Sequence, residues 1–121
     1  MSEPDNRVSM LVDLKKYRLR IHKSSLHLLG NPEYIQLLVN PDDMAVAIMS
    51  RDMPGEQTLK INWDKLKSAD CELYSRLLTL RLCEAFGCMK EGRSYRFTGY
   101  IIPQERIAYF PLKEMQPIDQ Y

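Results

Sequence analysis

The most chemically distinctive part of this chain is a run of cations near its beginning. Residues 15–27 carry five lysine or arginine side chains and no carboxylate, although the formal net charge of the whole protein is only +1. Cations spaced along one strand can meet successive phosphates of DNA, and this electrostatic attraction supplies most of the affinity that does not depend on base sequence. The run therefore favours nucleic-acid binding. An acidic protein partner and a merely solvated face are the alternatives.

Alternation along residues 17–22 predicts how these cations are presented. Tyr17, Leu19 and Ile21 fall on one side of an extended chain, and the residues between them fall on the other. Period-two alternation is typical of a strand with one buried and one solvated face. We expect two arginines of the solvated face, Arg18 and Arg20, to contact DNA while the neighbouring lysines neutralise phosphates. The predicted nucleic-acid-binding residues are Lys15, Lys16, Arg18, Arg20, His22 and Lys23.

The other reactive side chains give little support for catalysis or for a metal site. His22 and His27 are the two histidines of the chain, whereas a metal site needs three or four convergent ligands. Cys71, Cys83 and Cys88 show no Cys-x-x-Cys spacing, and there is no glycine-rich phosphate loop. We therefore predict a protein that is not an enzyme and has no cofactor and no metal. A cysteine nucleophile is the weaker alternative.

The elements that must position these residues occur twice in the same order. A strand, a helix ending at Leu-Gly or Phe-Gly, and a hairpin are predicted over residues 15–50 and again over residues 57–112. Tyr34 and Tyr95 lie 61 positions apart, as do Ala47 and Ala108. We predict an α+β fold in which these duplicated units form one sheet or barrel. One long helix at about 71–86 would lie on it, and residues 1–121 would form a single domain.

Residues 18–48 resemble the AbrB/MazE swapped-hairpin family. The resemblance rests on the basic strand 18–22, the helix end at Leu29-Gly30 and the hairpin that turns at Pro41-Asp42-Asp43. It covers about a quarter of the chain, and His22 stands where that family commonly has proline. The resemblance implies a bacterial DNA-binding accessory protein or transcriptional regulator, and it places Arg18 at a position that contacts DNA in that family.

Composition sets the remaining expectations. A 121-residue chain with 45% hydrophobic residues is typical of one compact domain, and its odd cysteine count and polar start favour the cytoplasm. We expect double-stranded DNA or a protein as the partner, no membrane, and a homodimer that doubles the basic surface. The alternative function is a protein-interaction module or assembly factor. Its docking surface would be an edge strand or the aromatic hairpin at 95–110, whose rings otherwise pack in the core or stack on bases.

Overall fold

The structure is a computed structural model, and it describes residues 6–118. Within this range the chain forms nine strands and two α-helices, joined in three places by short 3-10 turns. The strands are β1 Arg7–Asp13, β2 Arg18–His22, β3 Tyr34–Asn40, β4 Ala45–Arg51, β5 Thr58–Lys60, β6 Asp70–Tyr74, β7 Ser94–Ile102, β8 Ile107–Pro111 and β9 Gln116–Ile118. The helices are α1 Lys23–Leu28 and α2 Arg76–Ala85.

The strands form one antiparallel sheet that curls into a nearly closed barrel. Their order is β5-β3-β4-β8-β7-β1-β2-β6, and β9 pairs with the beginning of β7. The two terminal strands, β5 and β6, do not pair with each other within the described residues, so the barrel keeps an open seam between them. Both strands line the cavity that occupies this seam.

Period-two alternation explains why the strands enclose a core. On β1 the buried side chains are Val8, Met10 and Val12, and on β7 the aromatic rings of Tyr95 and Phe97 point inward. Both helices add apolar side chains to the same cluster: Leu26 from α1, and Leu78 and Leu82 from α2. Burial of apolar area, at roughly 25 cal/mol per Å², is therefore the main force that holds the sheet and helices together.

The predicted α+β fold of duplicated strand-helix-hairpin units with one long helix at about 71–86 is wrong. The chain is mostly β and forms a barrel, and α2 covers only Arg76–Ala85. Residues 70–74, which the sequence placed at the start of the helix, form β6 instead, because Cys71 and Leu73 are buried while Glu72 and Tyr74 are exposed. The helix begins after Ser75, whose Oγ accepts the Leu78 N–H at 3.2 Å.

The strand pairings link the two halves of the chain. Strand β2 pairs with β6, β4 pairs with β8, and β1 pairs with β7, while β3 pairs with β5. Each of these pairs joins strands that are distant in sequence, so neither half holds a complete barrel. A single domain with duplicated segments at 15–50 and 57–112 stays a prediction, which these pairings do not test.

Candidate functional site

Arg18 lies inside an ion-pair network and not on the surface. Its side chain is 7% exposed, and its Nε donates to Asp13 Oδ2 at 3.0 Å. One terminal nitrogen contacts Glu72 Oε2 on the adjacent strand β6. The other oxygen of Asp13 accepts the backbone N–H groups of Lys15 at 2.8 Å and Lys16 at 3.0 Å. Arg18 lies on the same face of β2 as Arg20, but it is buried there and two carboxylates compensate its charge, so the expected exposure of Arg18 to DNA is wrong.

The remaining predicted cations do not form one continuous row. Lys15 and Lys16 are exposed in the turn between β1 and β2, whereas Lys23 begins α1 at the opposite end of β2. Arg20 lies between them, and its terminal nitrogen is 3.9 Å from Glu72 Oε1. His22 is exposed and caps α1, since its Nδ1 accepts the Ser24 N–H at 3.1 Å. Because Arg18 is buried, the other predicted cations lie at separate places: in the β1–β2 turn, on β2 and at the start of α1.

The second histidine has a structural role. The ring of His27 stacks on Trp63 with 5.7 Å between centroids, and its Nδ1 lies 2.6 Å from Asn31 Oδ1. Trp63 Nε1–H in turn donates to the Pro32 carbonyl at 2.8 Å. These contacts hold the segment after β5 against α1. The ring of His27 is thus engaged by Trp63 and Asn31. Among residues 6–118, no group of three or more His, Cys, Asp or Glu side chains could hold a metal ion.

Two of the three cysteines, Cys71 and Cys83, lie in surroundings that disfavour the thiolate. Burial raises the pKa of the Cys71 thiol, and the charge of Glu72 raises it further. Burial also raises the pKa of Cys83, with smaller contributions from nearby acidic groups. Cys88 is exposed. A raised pKa lowers the fraction of nucleophilic thiolate at neutral pH, so Cys71 and Cys83 do not resemble activated cysteines.

The aromatic hairpin divides between the core and the surface. Tyr95, Phe97 and Phe110 are buried, which leaves them unable to stack on a base. Tyr100 and Tyr109 face each other across β7 and β8 with their ring centroids 5.6 Å apart. The hairpin therefore contributes mainly to the core, and a five-ring stacking platform does not form.

The open seam presents an unpaired strand edge on β6. The β2–β6 ladder continues at both ends, where Ser75 N–H donates to the Tyr17 carbonyl at 2.9 Å and Lys23 N–H donates to the Ala69 carbonyl at 2.6 Å. In an antiparallel ladder, hydrogen-bonded residue pairs alternate with pairs whose backbone groups point away. The backbone N–H and C=O groups of Glu72 and Tyr74 therefore point into the seam, where no backbone partner is found within residues 6–118.

The hydrogen-bond pattern of β5 likewise shows which of its backbone groups face the seam. Ile61 N–H donates to the Glu33 carbonyl at 2.8 Å and Leu37 N–H donates to the Gln57 carbonyl at 2.9 Å, so the β3–β5 ladder uses the odd-numbered residues of β5. The backbone groups of Thr58 and Lys60 consequently point toward the seam. The seam is thus bounded by two strand edges whose inward-pointing backbone groups have no backbone partner among residues 6–118.

A cavity of about 520 Å³ fills the seam. Its apolar wall includes Leu59, Cys71 and Leu73, and three exposed lysines surround its opening: Lys60, Lys65 and Lys67. Asp70 and Glu72 also line it, but the carboxylate of Glu72 already contacts Arg18. The opening consequently has more uncompensated positive than negative charge.

Sequence reasoning missed this seam. The strand expected at the beginning of the second unit is β5, Thr58–Lys60, but the strand that pairs with β2 begins twelve residues later, at Asp70. One feature of the sequence could have indicated the seam: a short strand is followed by a lysine-rich stretch, residues 60–67, that contains no hairpin turn.

Comparisons with known proteins give no match. No protein-family model, no curated protein and no solved structure matches the chain. The resemblance of residues 18–48 to the AbrB/MazE family stays a prediction. Within residues 6–118, neither helix has the length and apolarity required to cross a membrane.

Proposed function

We propose that this protein is a non-catalytic protein-interaction module that binds an extended segment of another protein in the seam between β5 and β6. The observation that carries the proposal is the unpaired edge of β6, where the backbone groups of Glu72 and Tyr74 point into a cavity of about 520 Å³. An extended peptide that adds a strand to an exposed edge gains main-chain hydrogen bonds, and alternate side chains of the peptide fill pockets.

The surroundings of the seam support a partner of defined chemistry. Ser68 Oγ donates to the Asp70 carbonyl at 3.0 Å, so the beginning of the β6 edge is covered by a side chain while the rest stays open. Lysines beside a strand edge oppose pairing with a second copy of the same edge. The same lysines, at positions 60, 65 and 67, attract carboxylates. The proposed partner is therefore an extended, acidic segment with apolar side chains at alternate positions.

A bacterial DNA-binding accessory protein or transcriptional regulator is the second candidate. It is supported by the cations that lie outside the Arg18 network, namely Lys15, Lys16, Arg20 and Lys23. Under either function we propose a cytoplasmic location, because an exposed free thiol such as Cys88 is typical of a reducing compartment.

Peptide selection followed by one pair of substitutions tests the leading proposal. Short linear peptides would be selected from a random displayed library against the full chain, and their affinities measured for Tyr74→Pro and Tyr74→Ala. Proline removes the N–H that points into the seam without breaking the β2–β6 ladder, and alanine keeps it. We expect binding to be lost in Tyr74→Pro and mostly retained in Tyr74→Ala, with thermal unfolding as the folding control.

Two results would overturn this function. One is the selection of peptides that bind equally well to the proline variant. The other is concentration-dependent self-association that Tyr74→Pro abolishes, which would assign the seam to a second copy of this chain. Retention of random duplex DNA that is lost with salt and weakened in Lys15→Ala/Lys16→Ala would instead favour the second candidate.

A further inference from the structure

A second cavity lies on the outer face of the sheet, and Asp70 of β6 lines both this cavity and the seam. In the strand register, Arg96 of β7 is opposite Leu11 of β1, and Leu11 is opposite Arg20 of β2. The two arginines therefore flank Leu11 from strands that are two positions apart, with about 10 Å between their backbones. Both side chains line one cavity of about 260 Å³. The length of an arginine side chain is sufficient for the two guanidinium groups to converge above Leu11.

Arg20 lacks the acceptor that its position requires. Its Nε is buried and has no hydrogen-bond partner within the described chain. Its nearest carboxylate oxygen, Glu72 Oε1, is 3.9 Å from the terminal nitrogen, which is too far for a hydrogen bond. The other oxygen of Glu72 contacts Arg18 and accepts from the Tyr74 hydroxyl at 3.3 Å. A buried donor without an acceptor is unfavourable, so an acceptor from outside the chain would stabilise this arrangement.

His22 adds a third donor to the same cavity. Its Nδ1 accepts the Ser24 N–H at 3.1 Å and lies 2.7 Å from Ser24 Oγ, so the capping contact requires a lone pair on Nδ1. The neutral ring then carries its proton on Nε2, which is free to donate. Among the described residues that line the cavity, Asp70 is the one carboxylate, and two guanidinium groups against this single charge leave these lining side chains with a net charge of +1.

We propose that this cavity binds the phosphate group of a small molecule, held by Arg20, Arg96 and the Nε2–H of His22. A tetrahedral phosphate presents several acceptor oxygens and carries enough negative charge to compensate both guanidinium groups. Its oxygens would satisfy the buried Nε of Arg20. The two cavities share Asp70, but the three donors proposed here, Arg20, Arg96 and His22, do not line the seam, and the proposal does not depend on the proposed function.

Calorimetric titration with inorganic phosphate and with a nucleoside monophosphate tests the proposal. Wild type would be compared with Arg96→Gln, Arg20→Gln and the control Arg51→Gln, which removes the same charge from exposed Arg51 on β4. We expect each variant of the cavity to weaken binding by about tenfold to a hundredfold, because a charge-assisted hydrogen bond contributes roughly 1.5–3 kcal/mol and about 1.4 kcal/mol corresponds to a factor of ten. The control should bind like the wild type.

Three results would overturn the site. The first is the absence of binding by either phosphate probe. The second is equal weakening by Arg51→Gln, which would mean that only overall charge matters. The third is that the protein binds neither small probe but binds duplex DNA saturably, and that Arg96→Gln abolishes the DNA binding. That result would assign these arginines to the nucleic-acid function.

Discussion

Arg18 illustrates how burial decides what a charged residue does. Its guanidinium group spans from the fully buried Asp13 of β1 to Glu72 of β6, and Asp13 in turn holds the backbone of the β1–β2 turn. A buried ion pair adds little net stability compared with an apolar replacement, but the loss of one partner leaves an uncompensated charge. The residue is therefore a structural connection among three strands.

The first prediction concerns this network. We expect Arg18→Ala to lower the free energy of unfolding by about 3–5 kcal/mol, because Asp13 would remain buried without its partner. The exposed Lys16→Ala is the control and should change it by less than about 0.5 kcal/mol. Urea unfolding measures both values. A fully stable Arg18→Ala protein would contradict the structural role of this arginine.

The second prediction concerns the three thiols. Cys88 is exposed, whereas burial raises the pKa of Cys71 and of Cys83 and so lowers their thiolate fractions. A thiol reagent at mildly alkaline pH should therefore label Cys88 first, and Cys88→Ser should remove the fast phase. Raising the pH should accelerate the two slow phases as their thiolate fractions rise. Fast labelling of Cys71 in the folded protein would contradict this account and revive the cysteine-nucleophile alternative.

At the scale of elements, β7 and β8 approach closely at one glycine. A Cβ built on Gly99 would lie 1.9 Å from the carbonyl oxygen of Tyr109, whereas a Cβ on Gly87 would meet nothing within 4 Å. The long strand β7 can therefore pass β8 only if residue 99 has no side chain. This close approach explains a glycine in the interior of a strand, where it is otherwise unfavourable.

The third prediction compares these two glycines. We expect Gly99→Ala to destabilise the protein by about 1–3 kcal/mol, since the backbone of β8 must move to admit the methyl group. Gly87→Ala should be neutral or slightly stabilising, because the added Cβ has free space. Thermal unfolding of the two variants under the same conditions measures the difference. Equal stability would contradict the strand packing described here.

Local sequence patterns predicted several elements and both hairpins, but not the pairing between strands that are distant in sequence. Alternation located the strand at 17–22 and both hairpins, because half-buried strands repeat every two residues. It failed at residues 70–74, where the apolar positions also fit the spacing of the helix that follows. The burial of Arg18 could not be predicted, since it depends on Glu72, which is 54 residues further along the chain.

At the scale of the whole molecule, the barrel is almost complete but not closed. Strand β1 lies beside β7, the first strand of the β7–β8 hairpin, and is followed in the chain by β2. Strand β5 lies beside β3, the first strand of the β3–β4 hairpin, and is followed by β6. The seven-residue β1 also pairs with β2, whereas the three-residue β5 does not pair with β6, so one edge of β6 has no partner strand within residues 6–118. The seam is therefore the place where one strand would complete the sheet, and the proposed partner segment would supply it.

The fourth prediction concerns the cations around this seam. We expect Lys60→Glu/Lys65→Glu/Lys67→Glu to weaken binding of a selected acidic peptide by about tenfold or more, and to do so less at high salt. The control is the pair Lys15→Glu/Lys16→Glu, which changes charge in the β1–β2 turn, outside the residues that line the seam. Equal loss of affinity in the control would show that overall charge, and not the seam, governs binding.

Hydrogen exchange of individual backbone amides on β6 tests the central claim most directly. In the free protein, the amides of Cys71 and Leu73 should be protected by β2, while those of Glu72 and Tyr74 should exchange as fast as amides in exposed loops. Addition of a selected peptide should slow exchange at Glu72 and Tyr74. Slow exchange at these two amides in the free protein, or unchanged exchange when the peptide is bound, would contradict the account.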